Sequence, residues 1–77
     1  MIWVAVEDAT THEVSEFEEV SEEYVLRLMD GYKVDKHYVT RVRVQDVEDG
    51  HNIVYEGVTY RGGVGYNLLV ARKYLEL

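Results

Sequence analysis

Apolar positions alternate along some stretches of the chain and recur every three to four residues along others, and the two periods predict different elements. Ile2-Trp3-Val4-Ala5-Val6 is rich in β-branched and aromatic side chains and predicts a first strand. Glu7 to Thr11 then predicts a turn, and His12 to Glu18 a returning second strand. A competing pattern overlaps it. Ser15-x-x-Glu18 fits a capping box, and Phe17, Val20, Tyr24 and Leu28 follow helical spacing, as one longer helix would require. Ser21 is the better start signal, because it can cap the helix while Glu22 and Glu23 occupy the first turn and Val20 packs back on Val25. The favoured reading is a strand followed by a short helix over Glu22 to Asp30, closed by Gly31 as a left-handed cap. Val25, Leu28, Met29 and Tyr32 recur at i, i+3, i+4 and i+7 and should face the core.

Beyond the helix, Tyr38 to Gln45 alternates. Tyr38, Thr40, Val42 and Val44 share one face, and Val39, Arg41, Arg43 and Gln45 the other. Asp49-Gly50 is a hairpin turn signal, Ile53 to Arg61 predicts the next strand with Gly57 interrupting it, and Gly62-Gly63 ends it. Tyr66 to Leu77 satisfies both periods. The helix formers in Leu68-Leu69-Val70-Ala71-Arg72-Lys73 favour a helix begun at Asn67, with a strand as the alternative. The expected fold class is α+β: one domain over 1–77, a small single-layer antiparallel sheet in β-β-α-β-β order packed on one helix, with a C-terminal helix or strand.

Composition changes this picture in two ways. The chain has 77 residues, which leaves a thin margin between apolar burial and conformational entropy, so a homodimer is expected. It has no cysteine, which removes disulfides, thiolate metal sites and thiol nucleophiles and favours a reducing, cytoplasmic setting. The apolar run before Glu7 is too short for a signal peptide or a membrane span.

Charge is distributed unevenly. Met1 to Asp30 carries −8, with Arg27 the lone base, whereas Gly31 to Leu77 carries +1, within a formal total of −7. A concentrated negative field repels nucleic acid and membrane surfaces and attracts basic proteins. The candidate partner-binding residues are therefore Glu13, Glu16, Glu18, Glu19, Glu22, Glu23 and Asp30. On a strand, residues two apart are about 6.6–6.8 Å apart, close to the spacing of neighbouring phosphates, so Glu16 and Glu18 can imitate a line of phosphates if the second strand forms. The bland alternative is an ordinary structural or regulatory domain whose acids only keep it soluble.

Catalytic and cofactor chemistry finds no support. His12, His37 and His51 lack metal-ligand spacing, Gly62-Gly63-x-Gly65 completes no phosphate-binding motif, and Asp46-x-Glu48-Asp49-Gly50 lacks the EF-hand register. No catalytic, cofactor-binding or metal residue is assigned, and the protein is expected not to be an enzyme. A minor alternative is single-stranded nucleic-acid binding through Arg41, Arg43 and Arg61 beside Tyr38, Tyr55 and Tyr60, which the net charge opposes.

The acidic run Glu13, Glu16, Glu18, Glu19, Glu22 and Glu23, the Val-rich strand after the helix, the length and the absent cysteine together resemble small phage-encoded host-takeover proteins that mimic DNA. Inhibitors of uracil-DNA glycosylase and of nucleoid or transcription proteins belong to that group. The resemblance spans about Ile2 to Asp46. It implies a viral, dimeric inhibitor that occupies the DNA-binding surface of a basic host protein, whether a nucleoid, transcription or DNA-repair protein. The balanced second half departs from a mimic that is acidic throughout.

Overall fold

The computed structural model describes Met1–Leu77 and contains five strands and one helix. In chain order these are β1 (Ile2–Asp8), β2 (Glu18–Val20), α1 (Glu22–Gly31), β3 (Asp35–Glu48), β4 (His51–Arg61) and β5 (Tyr66–Leu75). All strands join one antiparallel sheet in the spatial order β2-β1-β5-β4-β3. The expected α+β class and its β-β-α-β-β layout are thereby corrected. The protein is mostly β, and the segment favoured as a C-terminal helix from Asn67 is a strand placed at the centre of the sheet.

The error has a physical cause. Leu68, Leu69 and Ala71 are all buried, although successive strand residues point to opposite faces. β5 is covered on both sides, and a doubly buried strand reads as a continuous apolar run rather than an alternating one. On one side, hereafter the helix face, Val4, Val25 and Leu68 form a core with Ile2, Val6, Leu28, Met29 and Val70 around it. On the far face, Ile53, Tyr55 and Ala71 form a second core with Trp3, Phe17 and Val44. Val25, Leu28, Met29 and Tyr32 do share the inward side of α1, but only Val25 is fully buried.

Ser21 caps α1 as expected, accepting the Tyr24 N–H at 3.2 Å. The other end differs. Gly31 stays helical, and the left-handed residue is Lys33, at φ 50°. The Lys33 N–H donates to Asp30 O at 3.1 Å and the Val34 N–H to Met29 O at 3.0 Å, which closes the last carbonyls in a Schellman arrangement. Its Val34 packs on the same core as Met29. The helix terminus also docks on the β4–β5 turn, where the Gly63 N–H donates to Tyr32 O at 2.9 Å. A Cβ on Gly62 would lie 1.8 Å from Tyr66 O, so the Gly62-Gly63 pair is a requirement of close backbone approach.

The expected second strand over His12 to Glu18 is reduced to a single bridge, Glu7 with Val14, and the three-residue β2. His12 adopts φ 63°, and the Ser15 hydroxyl takes the Val6 N–H at 2.9 Å in place of a ladder bond. Ahead of it, Asp8 Oδ1 accepts the N–H groups of Thr10 and Thr11 at 2.8 and 3.0 Å. These bonds, Thr11 first, hold the Asp8 carboxyl below its ordinary value. A depressed carboxyl stabilises the turn above the ordinary aspartate range, and that contribution is lost as pH falls through the folded value. A carboxyl NMR titration is expected to place Asp8 below a free aspartate. An ordinary midpoint would mean that the turn is not formed in solution.

Candidate binding surfaces

Side-chain direction follows from strand pairing. Glu18 pairs with Val4 and lies on the helix face, while Glu19 pairs with Trp3 and lies on the far face. Glu22 and Glu23 follow at once in the first turn of α1, where the helix dipole favours negative charge. Glu13 and Glu16 lie in the preceding loop, and all six carboxylates are exposed. β2 is an edge strand, so this acidic rim borders an open side of the sheet. The expected line of carboxylates along one strand is not present, since Glu16 is outside β2 and Glu18 and Glu19 diverge. Asp30 stands apart in the last turn of α1, where the dipole disfavours an acid.

None of these seven acids is paired. The three ion pairs of the chain are His12–Glu7 at 3.9 Å, Arg43–Glu76 at 2.7 Å and Lys73–Glu48 at 2.6 Å. The acidic rim is thus left with its whole charge facing solvent.

A fixed aromatic stack positions that rim. Phe17 lies flat on Tyr55, with ring centroids 4.0 Å apart and planes at 6°. Trp3 meets Tyr55 at 5.9 Å, and the Lys73 ammonium sits 4.3 Å from the Trp3 ring centre. The hydrogen bond to Glu48 raises the Lys73 ammonium above its ordinary value. Phe17 therefore pins the loop between Glu16 and Glu18 to the far face of the sheet.

The arginines fall differently from the sequence expectation. Arg41 pairs with Val58, which pairs with Val70, and Arg43 pairs with Glu56, which pairs with Arg72. All three arginines therefore share the helix face, on the half that α1 does not cover. Tyr60 pairs with Leu68 on that face, so Arg61 points to the far side, 5.4 Å from the Tyr38 ring centre. Tyr55 is on the far side too, in its core. The patch of Arg41, Arg43 and Arg61 beside Tyr38, Tyr55 and Tyr60 is thus split between two faces, a correction to the minor nucleic-acid reading. Arg72 joins Arg41 and Arg43 instead, and it was missed because its segment favours a helix by composition.

His12, His37 and His51 lie in the first loop, in β3 and in β4, and no three His, Cys, Asp or Glu side chains gather as a metal site would require. No helix is long and apolar enough to cross a membrane. No family model, curated protein or solved structure matches the chain.

Proposed function

We propose that this is a non-enzymatic, cytoplasmic protein-binding module whose acidic rim docks on the basic surface of a DNA-binding protein. One observation carries the reading. Glu13, Glu16, Glu18, Glu19, Glu22 and Glu23 fall within eleven consecutive residues, all exposed, and none has a cationic partner within the chain. Like charges packed this closely disfavour the folded state, and apart from the helix dipole at Glu22 and Glu23 no ion pair within the chain offsets them. Their field is that of a short polyanion, and the surface that suits it is one that otherwise holds nucleic-acid phosphates.

The test replaces Glu16, Glu18 and Glu19 together by glutamine. These positions are exposed and unpaired, so stability should change by no more than about 0.5 kcal/mol. Captured from a bacterial lysate at low salt, the wild type should retain basic DNA-binding proteins, which duplex DNA displaces and added salt releases as the Debye length shortens toward ~8 Å at 0.15 M. The triple variant should lose them. Equal capture by both would assign the rim to solubility alone.

A further inference from the structure

The structure assigns a second, self-complementary surface: we propose that the uncovered arginine half of the helix face docks α1 of a second copy in a two-fold dimer. α1 packs over Val4, Leu68 and Val70, on β1 and β5. Over β3 and β4 no helix lies on the same face, although Val54 is fully buried there among its neighbouring side chains. Arg41, Arg43, Glu56 and Arg72 are exposed there above half-buried Val58 and Val70. Sheet faces are stable when another layer covers them, and a chain this small has no second helix with which to do so.

Charge identifies the occupant. At 100° per residue, Glu23, Arg27 and Asp30 point away from the core-facing Val25, Leu28, Met29 and Tyr32, with Glu22 and Leu26 on one flank. That flank faces the open half. One shallow groove there joins Glu22 to Arg72 and Glu56, and another joins Leu26 and Asp30 to Lys36 at the start of β3. Leu26 is 62% exposed in this acidic setting. Arg41 and Arg72 have no ion-pair partner, and neither do Glu23, Arg27 and Asp30. Turning a second copy about a two-fold axis beside Leu26 lays each helix over the other sheet. Glu23 and Asp30 then meet Arg41 and Arg72, Arg27 meets Glu56, and the two Leu26 side chains meet at the axis, so that Glu23 leaves the acidic rim to Glu13, Glu16, Glu18, Glu19 and Glu22. Asp30, unfavourable at its own helix terminus, gains an arginine in this arrangement. A standard interface takes about 800 Å² from each partner, which a broad face of some 36 × 28 Å supplies.

An isologous contact of this kind makes a sharp test, because it can be charge-swapped. Sedimentation should show the wild type at twice the 9.0 kDa chain mass, weakening with salt. Glu23→Arg with Asp30→Arg, and separately Arg41→Glu with Arg72→Glu, should each give folded monomers by circular dichroism. Mixed in equal amounts, they should form a heterodimer, since each then offers the complement of the other. Leu26→Cys, the only thiol in the chain, should cross-link to a dimer on mild oxidation, and Glu19→Cys at the sheet edge should not. A monomeric wild type, a dimer indifferent to both charge reversals, or a mixture that stays monomeric would overturn the proposal. The rim variant at Glu16, Glu18 and Glu19 should still dimerise, so loss of partner capture and loss of the dimer are separately readable.

Discussion

Gly57→Ala is expected to cost about 3 kcal/mol or more, at the top of the range for overpacking. An added Cβ would fall 2.0 Å from Val70 O and 2.7 Å from Ala71 Cα. Both atoms are backbone of β5, so no side chain can swing aside. β4 cannot retreat either, because β3 is paired along its other edge from Val39 to Glu48. Against a total stability of roughly 4–12 kcal/mol for a chain of this length, such a loss is large. Urea unfolding should show the midpoint shift, and Gly31→Ala supplies the control. Gly31 is helical with open space around it, so alanine there should raise stability by roughly 0.5–1 kcal/mol. Equal, small effects at the two positions would mean that β4 and β5 are not packed as closely as described.

Elements with a local chemical cause were legible in the sequence. Ser21 with Glu22 and Glu23 located the start of α1, and Asp49-Gly50 located the β3–β4 hairpin. Both turn residues there take positive φ, 51° and 77°, which the two-residue hairpin requires. Strand alternation also placed Arg41 and Arg43 on one face. What failed depended on contacts distant in sequence. Leu68 to Ala71 reads as helix until β1 and β4 flank it and both faces are covered. Gly31 reads as the left-handed cap until Val34 is needed in the core, which moves that role to Lys33. The loop from His12 to Phe17 reads as strand until Ser15 replaces a ladder bond and Phe17 finds Tyr55, 38 positions away. The acidic residues of the candidate rim were evident from composition. Their lack of cationic partners came only from side-chain geometry, and the company of Arg72 with Arg41 and Arg43 only from strand register.

Phe17→Ala connects packing to binding and is expected to alter both. Phe17 is half-buried, so its truncation should cost less than the ~3–5 kcal/mol of a fully buried phenylalanine, about 2–3 kcal/mol with the stacking contact on Tyr55 included. The loss is local at first. β2 offers only three paired residues, Glu18 to Val20, and the aromatic stack is what anchors the chain just ahead of them. Without it, the loop carrying Glu13 and Glu16 is released and Glu18 frays from β1, while the helix-face core of Val4, Val25 and Leu68 persists. Hydrogen exchange should therefore speed up first at the Val6 amide, which the Ser15 hydroxyl holds, and later at the centre of β5. The rim keeps every carboxylate in this variant and loses only their arrangement. Long-range attraction depends on net charge, so the association rate with a basic partner should stay near the wild-type value. The dissociation rate should rise, because each encounter must now order the loop. Charge removal at Glu16, Glu18 and Glu19 should act in the reverse way, slowing association most. If Phe17→Ala binds and releases as the wild type does, the rim acts as a diffuse charge rather than a shaped surface.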